Sequence, residues 1–492
     1  MEWTREELQT LIRTKVADSP FVVVSNREPY VHILEGNKAI CTIPASGLTI
    51  ALDPVMQASG GTWVAHGSGD ADRQVVDDKN RVAVPPDNPR YTLRRIWLNR
   101  EEVAGYYLGF SNEALWPLCH ITYTRPKFDK ADWETYKKVN QMFAEAVLDE
   151  IGDKKALVFI QDYHLALLSR LIKSKNSKAI TAQFWHIPWP NPEAFRICPW
   201  QEEILDGLLG NNLIGFHIAY HRNNFLETVN RTLECKIDYE RYAVSRGGTT
   251  TLVRPFPISV DFERIARNAA REEVSAEIKK IKDRWGITDQ FIGIGIDRID
   301  YTKGIPERLK ALDIFLTKYP QYDGEVIFFQ LGEPSRTRIN KYKELNAEVD
   351  ALVEEINWKH HAGDPFKPVI YLKEHMAQAE LSAYYRMADF CIVSSLHDGM
   401  NLVAKEYVAS RIAEDGVLIL SEFTGAAREL TEARLVNPYD IDDMAEAIKE
   451  AIEMPKKTQK ARMVKLRNTI KDNNIYRWAG EIISELVKFG ES

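Results

Sequence analysis

Cysteine is scarce and scattered in this chain of 492 residues: Cys41, Cys119, Cys198, Cys235 and Cys391 are the only ones, and none forms a CxxC pair. That spacing argues against a disulfide frame or a cysteine-rich zinc site and predicts reduced thiols in a cytoplasmic protein. No apolar run reaches membrane-spanning length, and the N-terminal MEWTREELQTLIR lacks the basic-then-apolar order of a secretory signal. Asn230-Arg231-Thr232 therefore reads as a chance sequon. Positive charge is not in excess: the net charge is −7, so no global field points to nucleic acid or an anionic membrane. HExxH, His/Cys clusters, internal repeats and low-complexity segments are all missing. So is a GxGxxG between strand and helix, which disfavours a dehydrogenase-type dinucleotide site. The glycines of GIGID (Gly293 and Gly295) precede the turn instead of forming it. Asp440-Ile-Asp442-Asp443 looks like a metal-binding DxD, but it sits where a helix starts and reads as a cap. Neither a metal nor a resident cofactor is expected.

What remains is ordinary globular composition, 45% hydrophobic and 27% charged, on a chain long enough for two domains. Thr4-Arg-Glu-Glu7 predicts a capped first helix, and FVVV (Phe21 to Val24) a buried strand ending at Ser25-Asn26-Arg27. The small-residue loop Pro44 to Leu48 leads into helical TIALDPVMQ, and Gly60 to Val64 starts another strand. The polar stretch Gly67 to Arg90 reads as an exposed loop, with Asp70 and Asp72 as solvated charge. Regular alternation then begins: helix 136–151, strand 156–160, helix 164–174, strand 180–185, helix 200–208, strand 213–217, helix 219–232. It resumes with helix 262–285, strand 291–296, helix 305–318, strand 325–331 and helix 337–357. Strands 368–372, 389–393 and 417–421 then interleave with helices 377–387, 399–412 and 441–453. Apolar strands separated by helices predict an α/β fold with parallel, doubly wound sheets. Pro255 to Ile258 marks the boundary between two Rossmann-like domains, expected to face each other across a cleft with ligands at the carboxyl ends of the strands.

Polar groups gather at those ends: Arg27, Gln161-Asp162-Tyr163-His164, His186, Asp297-Arg298, Asp300, Lys303-Gly304, Arg336 and Arg338. Two cations, Arg298 and Lys303, beside a glycine helix start favour a diphosphate, although Asp297 or Asp300 would pair with them equally well. Arg27, Arg336 and Arg338 offer a second anion site. Asp162 and His186 fit acid, base or sugar-binding roles, or buried structural ones, and Tyr106, Tyr107 and Trp116 fit sugar stacking or core packing. In FCIVSSLHDGMNLVAKEYVAS (Phe390 to Ser410), Asp398 opens the predicted helix as either a cap or a ligand. Glu406 lies ~12 Å further along that helix, paired with Lys405 or turned to a ligand.

Taken together, VVVSNR (22–27), FSNEALWPL (110–118), QDYHL (161–165), HIPWPNPE (186–193), DRIDYTKGIPERL (297–309), SLHDGMNLVAKEYVAS (395–410) and LSEFTGAARELTEARLVNPYD (420–440) carry a likeness that spans nearly the whole chain. In these segments the chain resembles the trehalose-6-phosphate synthase family, the retaining glycosyltransferases of family 20. The resemblance implies a glycosyltransferase-B fold, with residues 1–258 on the acceptor side, 259–473 binding the nucleotide-sugar, and helix 474–492 packing back on the first domain. It puts Arg298 and Lys303 on the donor diphosphate, Glu406 on the ribose, and Asp398 with the backbone of Met400, Asn401 and Leu402 on the donor glucose and diphosphate. His186 falls near the glucose 6-hydroxyl and Gly47 at the donor phosphate. Asp162 lies beside the acceptor sugar; Arg27, Tyr107, Trp116 and Arg336 hold the acceptor and its phosphate, with Trp63 nearby. Family members retain configuration by front-face attack, the leaving phosphate oxygen assisting deprotonation of the acceptor.

The chain departs from the family at Ser46-Gly47-Leu48, in the loop before it, at His66 and at Leu396-His397, and its NREPY (from Asn26) resembles the related glucosylglycerol-phosphate synthases. The favoured expectation is transfer of glucose from a nucleotide-glucose, UDP-glucose first, to glucose 6-phosphate, giving α,α-trehalose 6-phosphate. Transfer to glycerol 3-phosphate or another small phosphate, and an inert sugar-phosphate sensor, are the alternatives. The expected partners are small-molecule substrates, not nucleic acid or membrane; homo-oligomerisation stays open.

Overall fold

Strands buried at every position need cover on both faces, and the apolar runs of this sequence fold that way. In the computed structural model, residues 3–16, 19–44, 47–333, 335–361, 366–374 and 376–491 are described. The chain divides into two compact units, Met1–Ile258 with Ile475–Ser492, and Ser259–Asn474.

The strands of the first unit are β1 (Phe21–Arg27), β2 (Val31–Glu35), β3 (Lys38–Thr42), β4 (Thr62–His66), β5 (Arg81–Val84), β6 (Tyr91–Ile96), β7 (Leu157–Gln161), β8 (Ile180–Phe184), β9 (Leu213–Phe216), β10 (Lys236–Asp238), β11 (Ala243–Arg246) and β12 (Thr249–Pro255). Among the described residues, all but β2 and β3 form one sheet in the order β10-β11-β12-β9-β8-β7-β1-β4-β6-β5. Every pairing from β12 to β6 is parallel, while β5, β10 and β11 add antiparallel edges. The chain builds outward from β1 to β4 and β6, then returns to β7 on its other side. The reversal between β1 and β7 leaves a crevice at their carboxyl ends, where an α/β sheet takes its ligands. Helix Ile475–Glu491 sets Trp478 against Phe159 of β7 and Phe184 of β8, ring centroids 5.6 and 5.1 Å away.

The second unit holds β13 (Phe291–Arg298), β14 (Val326–Glu333), β15 (Val369–Leu372), β16 (Phe390–Val393), β17 (Val417–Ser421) and β18 (Arg434–Val436), all parallel, in the order β15-β14-β13-β16-β17-β18. Its winding reverses between β13 and β16. Phe328, Phe390, Ile392 and Ile419 from the strands and Leu309, Phe315, Leu345, Val349 and Ile448 from the helices form its core. Gly293 and Gly295 serve that packing: a Cβ on Gly293 would lie 2.4 Å from the Phe390 ring and one on Gly295 within 3.0 Å of Gln330 Oε1.

Several expectations need correction. The loop ahead of Gly47 contains the β2–β3 hairpin, and the predicted helix 262–285 is two, Phe262–Ala269 and Glu272–Trp285. Helix Lys456–Asp472 and a π-helical segment, Val103–Leu115, were not expected. The polar stretch 67–90 is not merely an exposed loop, since it supplies β5, and Asp72 is not solvated: it is fully buried. Arg95 explains this. Its guanidinium, also fully buried, reaches Glu28 Oε2 at 2.7 Å and Asp72 Oδ1 at 2.8 Å, and donates to the Tyr30 carbonyl at 3.0 Å. Asp72 accepts from the amides of His32 and Gly69, and Glu28 from that of Ser68, so the cluster ties hairpin and loop to β6.

Two carboxyls share one guanidinium here, and burial, against the pull of Arg95, pushes the Glu28 pKa from 4.5 to about 8. A carboxyl with a raised folded pKa binds its proton more tightly in the fold than in the unfolded chain. The stabilisation is full below about pH 4.5 and disappears as pH rises to about 8. Glu28→Gln should therefore stay folded and flatten the fall in stability between those limits, read as the urea midpoint against pH. A variant that keeps the wild-type slope would assign the titration to another group.

Candidate functional site

In the first unit the β1–β7 crevice collects charged and aromatic groups. Arg27, the last residue of β1, donates from Nη2 to Tyr107 Oη at 3.0 Å. Tyr107 rides on the π-helical segment, a rare winding that re-aims side chains at functional sites, and lies flat on the His164 ring, centroids 5.7 Å apart and planes 15° apart. Asp162 follows β7 with φ 72°, a left-handed conformation that aspartate adopts at a cost. Oδ1 of Asp162 accepts from the His186 amide at 3.2 Å, its carbonyl accepts from Gln183 Nε2 at 3.1 Å, and its Oδ2 lies 3.9 Å from His164 Nδ1. His186 follows β8 with Nε2 2.9 Å from Gln161 Oε1. Burial first, and His164 second, push the His186 imidazole down to about 3. It is a neutral hydrogen-bonding group near pH 7, not an acid. Trp116 is buried, packed on the rings of His120 at 4.1 Å and Tyr163 at 5.9 Å.

Gly47 opens helix Gly47–Ser59 with its surface exposed; Ala45 and Ser46, which share its predicted loop, lie outside the described residues. Trp63 is a correction. Its position on β4 turns the indole into the core, fully buried, with Nε1 donating to Ser25 Oγ at 2.8 Å and the ring stacked on Tyr91, so it presents no surface to a ligand.

In the second unit the β13–β16 crevice is built from two loops. Arg298 ends β13, and the turn Tyr301–Lys303 follows, capped by Asp300. Gly304 has φ 62° and would put a Cβ 2.2 Å from the Ser394 carbonyl, so only glycine lets the first loop pass β16. The passage carries Lys303 across to the second loop, where Nζ meets Asp398 Oδ2 at 2.5 Å. Ser395 Oγ and Asn401 Nδ2, each at 3.2 Å, hold the same oxygen.

Asp398 thus does not cap the helix, and the helix expected from 399 begins at Leu402. Asn401, at φ 82°, caps helix Leu402–Ser410 by accepting from the Ala404 amide at 3.0 Å. The ~12 Å helical span from Asp398 to Glu406 falls with it: Glu406 sits ~6 Å along a helix begun at Leu402. Met400 is buried, its carbonyl accepting from the Ala426 amide at 2.9 Å, and Leu402 starts the helix half-buried. Lys405 pairs with Glu429 at 2.6 Å rather than with Glu406, whose Oε2 accepts from Tyr385 Oη at 2.9 Å. Burial raises the Glu406 pKa.

Arg336, φ 49°, is not spread into solvent: its Nη1 reaches Asp300 Oδ2 at 3.0 Å and Tyr342 Oη at 2.5 Å, and its side chain is 3% exposed. Arg338, two residues on, is exposed and stands apart from this pairing. Burial opposes ionisation of Asp300, but Arg336 and Arg298 outweigh it and leave the pKa below the usual carboxylate range. Asp297 faces Arg308 at 2.5 Å, yet burial prevails and its pKa rises. Tyr342 and Tyr385 were not singled out from sequence, for they lie in segments that lack any motif of their own, and Ser395, though inside the 395–410 motif, was given no role there. Among the described residues no group of three or more His, Cys, Asp or Glu is placed to hold a metal ion, and no helix is long and apolar enough to cross a membrane.

The family model of Glycosyltransferase family 20 matches residues 19–488. The trehalose-6-phosphate synthase of Mycobacterium avium is 36% identical over 484 residues, covering 96% of each chain. That of Mycobacterium tuberculosis is 35% identical over 490 residues, 98% of this chain and 97% of that one. The solved structure of the E. coli protein bound with UDP-2-fluoro glucose superposes with a TM-score of 0.84 at 30% identity, over 95% of this chain and 99% of that one. The UDP-forming α,α-trehalose-phosphate synthase of Burkholderia xenovorans in complex with glucose-6-phosphate gives 0.85 at 28% identity, over 95% and 100%. The mixed α/β architecture with its parallel sheets matches these glycosyltransferase-B folds.

A neutral His186 has a direct signature. Its ring proton shifts should stay flat in NMR from about pH 5 to pH 8, where an ordinary histidine titrates. A titration step in that window would contradict the buried, uncharged ring.

Proposed function

Because the chain belongs to glycosyltransferase family 20, we propose that it is a retaining glucosyltransferase that moves glucose from UDP-glucose to glucose 6-phosphate, giving α,α-trehalose 6-phosphate. The observation that carries the chemistry is the β13–β16 crevice, where Lys303 is fixed on Asp398 and Arg298 ends the neighbouring strand. Negative charge develops on the leaving diphosphate as the glucose C1–O bond breaks. Fixed cations stabilise it without having to reorganise. Arg298 and Lys303 take that role, Glu406 receives the ribose hydroxyls, and Asp398 with the backbone at Met400, Asn401 and Leu402 orients the donor glucose. Gly47 meets the donor phosphate through its backbone.

The acceptor hydroxyl attacks from the face the diphosphate leaves, and its proton passes to the departing phosphate oxygen. Configuration is kept without an enzymic nucleophile. Asp162 and the neutral His186 serve as hydrogen-bonding groups for the acceptor and the glucose 6-hydroxyl. Arg27, supported by Tyr107, and Arg336 hold the acceptor phosphate, and Trp116 lines its sugar. Nucleotide-glucose and sugar phosphate are substrates in this scheme, with no resident cofactor. All five cysteines are free thiols, which supports a cytoplasmic location.

Pairing UDP-, GDP- and ADP-glucose with glucose 6-phosphate or glycerol 3-phosphate tests the reading. A disaccharide phosphate from UDP-glucose and glucose 6-phosphate is expected; product with glycerol 3-phosphate alone would overturn it. Arg298→Ala should leave the circular dichroism spectrum intact and lower kcat by about 10²–10³-fold, the cost of losing one preorganised charge-stabilising donor. Unchanged turnover would remove Arg298 from the leaving-group site.

A further inference from the structure

We propose that Asp300 is a positioning residue for the transfer, its Oδ1 fixing through Thr302 the turn that carries Lys303 and its Oδ2 holding Arg336 directly. The inference deepens the reading above and rests on its assignment of Lys303 to the donor diphosphate and Arg336 to the acceptor phosphate.

Asp300 is fully buried. Oδ1 accepts from the Thr302 amide at 3.0 Å and from Thr302 Oγ1 at 2.9 Å. The Asp300 carbonyl accepts from the Lys303 amide at 3.0 Å. This closes the turn from which Lys303 leaves for Asp398. Oδ2 accepts from Arg336 Nη1 and from Tyr342 Oη, both at 3.0 Å. Arg336 Nη1 also donates to Tyr342 Oη, so guanidinium, phenol and carboxylate close a triangle of hydrogen bonds.

A carboxylate offers about four lone-pair sites, and these four donors fill them. Asp300 has no capacity left for a substrate, so it acts through Arg336, which Oδ2 holds, and through the Thr302 turn that carries Lys303. The ionised state this requires agrees with its lowered pKa. The Oδ2 arm also pins a strained backbone, since Arg336 sits at φ 49°. One buried charge therefore holds Arg336 directly through Oδ2 and, through Oδ1 on Thr302, fixes the turn from which Lys303 reaches Asp398.

Separate arms predict separable kinetics. Thr302→Val removes the Oγ1 hydrogen bond and should raise the KM for UDP-glucose and lower kcat, leaving the KM for glucose 6-phosphate unchanged. Tyr342→Phe should raise the KM for glucose 6-phosphate and spare the KM for UDP-glucose and kcat. Asp300→Asn should do both. Each shift is expected at about tenfold, the factor equivalent to about 1.4 kcal/mol. Circular dichroism and thermal unfolding establish which variants fold; if Asp300→Asn does not, the two single-arm variants decide. A wild type that makes no disaccharide phosphate overturns the functional reading, and this proposal with it. A wild type that does, with folded single-arm variants that change nothing or move the same parameter, overturns the proposal alone. A uniform loss of that kind is what a merely structural Asp300 would give.

Discussion

Buried carboxylates decide where the functional cations stand. Lys303 is fixed by Asp398, Arg336 by Asp300, and Arg308 beside them by Asp297; in the first unit Arg95 is held by Glu28 and Asp72. Taking such charges out of water costs several kcal/mol per ion, and their mutual attraction returns little beyond that. Their value lies in geometry. A lysine on a flexible stem, free in solvent, would have to be ordered when a diphosphate arrived. Lys303 is already ordered, anchored to an oxygen that Ser395 and Asn401 also hold.

The same segments carry most of the backbone strain that bears on the chemistry. Asp162, Arg336 and Asn401 all have positive φ, a conformation worth roughly 1–3 kcal/mol against a non-glycine residue. Each stands in a loop beyond a strand whose carboxyl end faces a winding reversal or its neighbour. Gly304 solves the same problem at lower cost, with no Cβ to meet the Ser394 carbonyl. Strain of this kind persists because the hydrogen bonds around it over-determine the loop, and it delivers side chains where regular turns would not.

Much of this was legible in the sequence, and what was not has a common cause. Helices Ala219–Thr232, Ile305–Lys318 and Ile441–Glu453 and strand Val417–Ser421 have the predicted bounds, because periodicity is a local property. The strand ends therefore exposed Arg27, Asp162, Arg298 and Lys303 as candidates. Pairing is not local. Lys303 and Asp398 are 95 residues apart and Asp300 and Arg336 are 36 apart, so which carboxylate takes which cation could not be read along the chain. Asp72 misled for that reason: DAD in a polar stretch looks solvated until Arg95 is placed beside it. Trp63 misled in the opposite sense, since the resemblance puts it near the acceptor while the sheet turns it inward. The π-helical segment carries no composition signal that separates it from an α-helix. The early start at 399 assigned to the helix carrying Glu406 came from letting Asp398 open it, when Asn401 is the cap.

Titrating UDP into the protein by calorimetry, wild type against Lys303→Ala, is the most direct test that the carboxylate-held cation is a diphosphate site. Losing a charge-assisted contact should weaken UDP binding by about 10- to 100-fold, while Glu28→Gln, in the separate buried cluster, should bind UDP as the wild type does. Equal affinities for wild type and Lys303→Ala would show that the Lys303–Asp398 pair only holds the fold together.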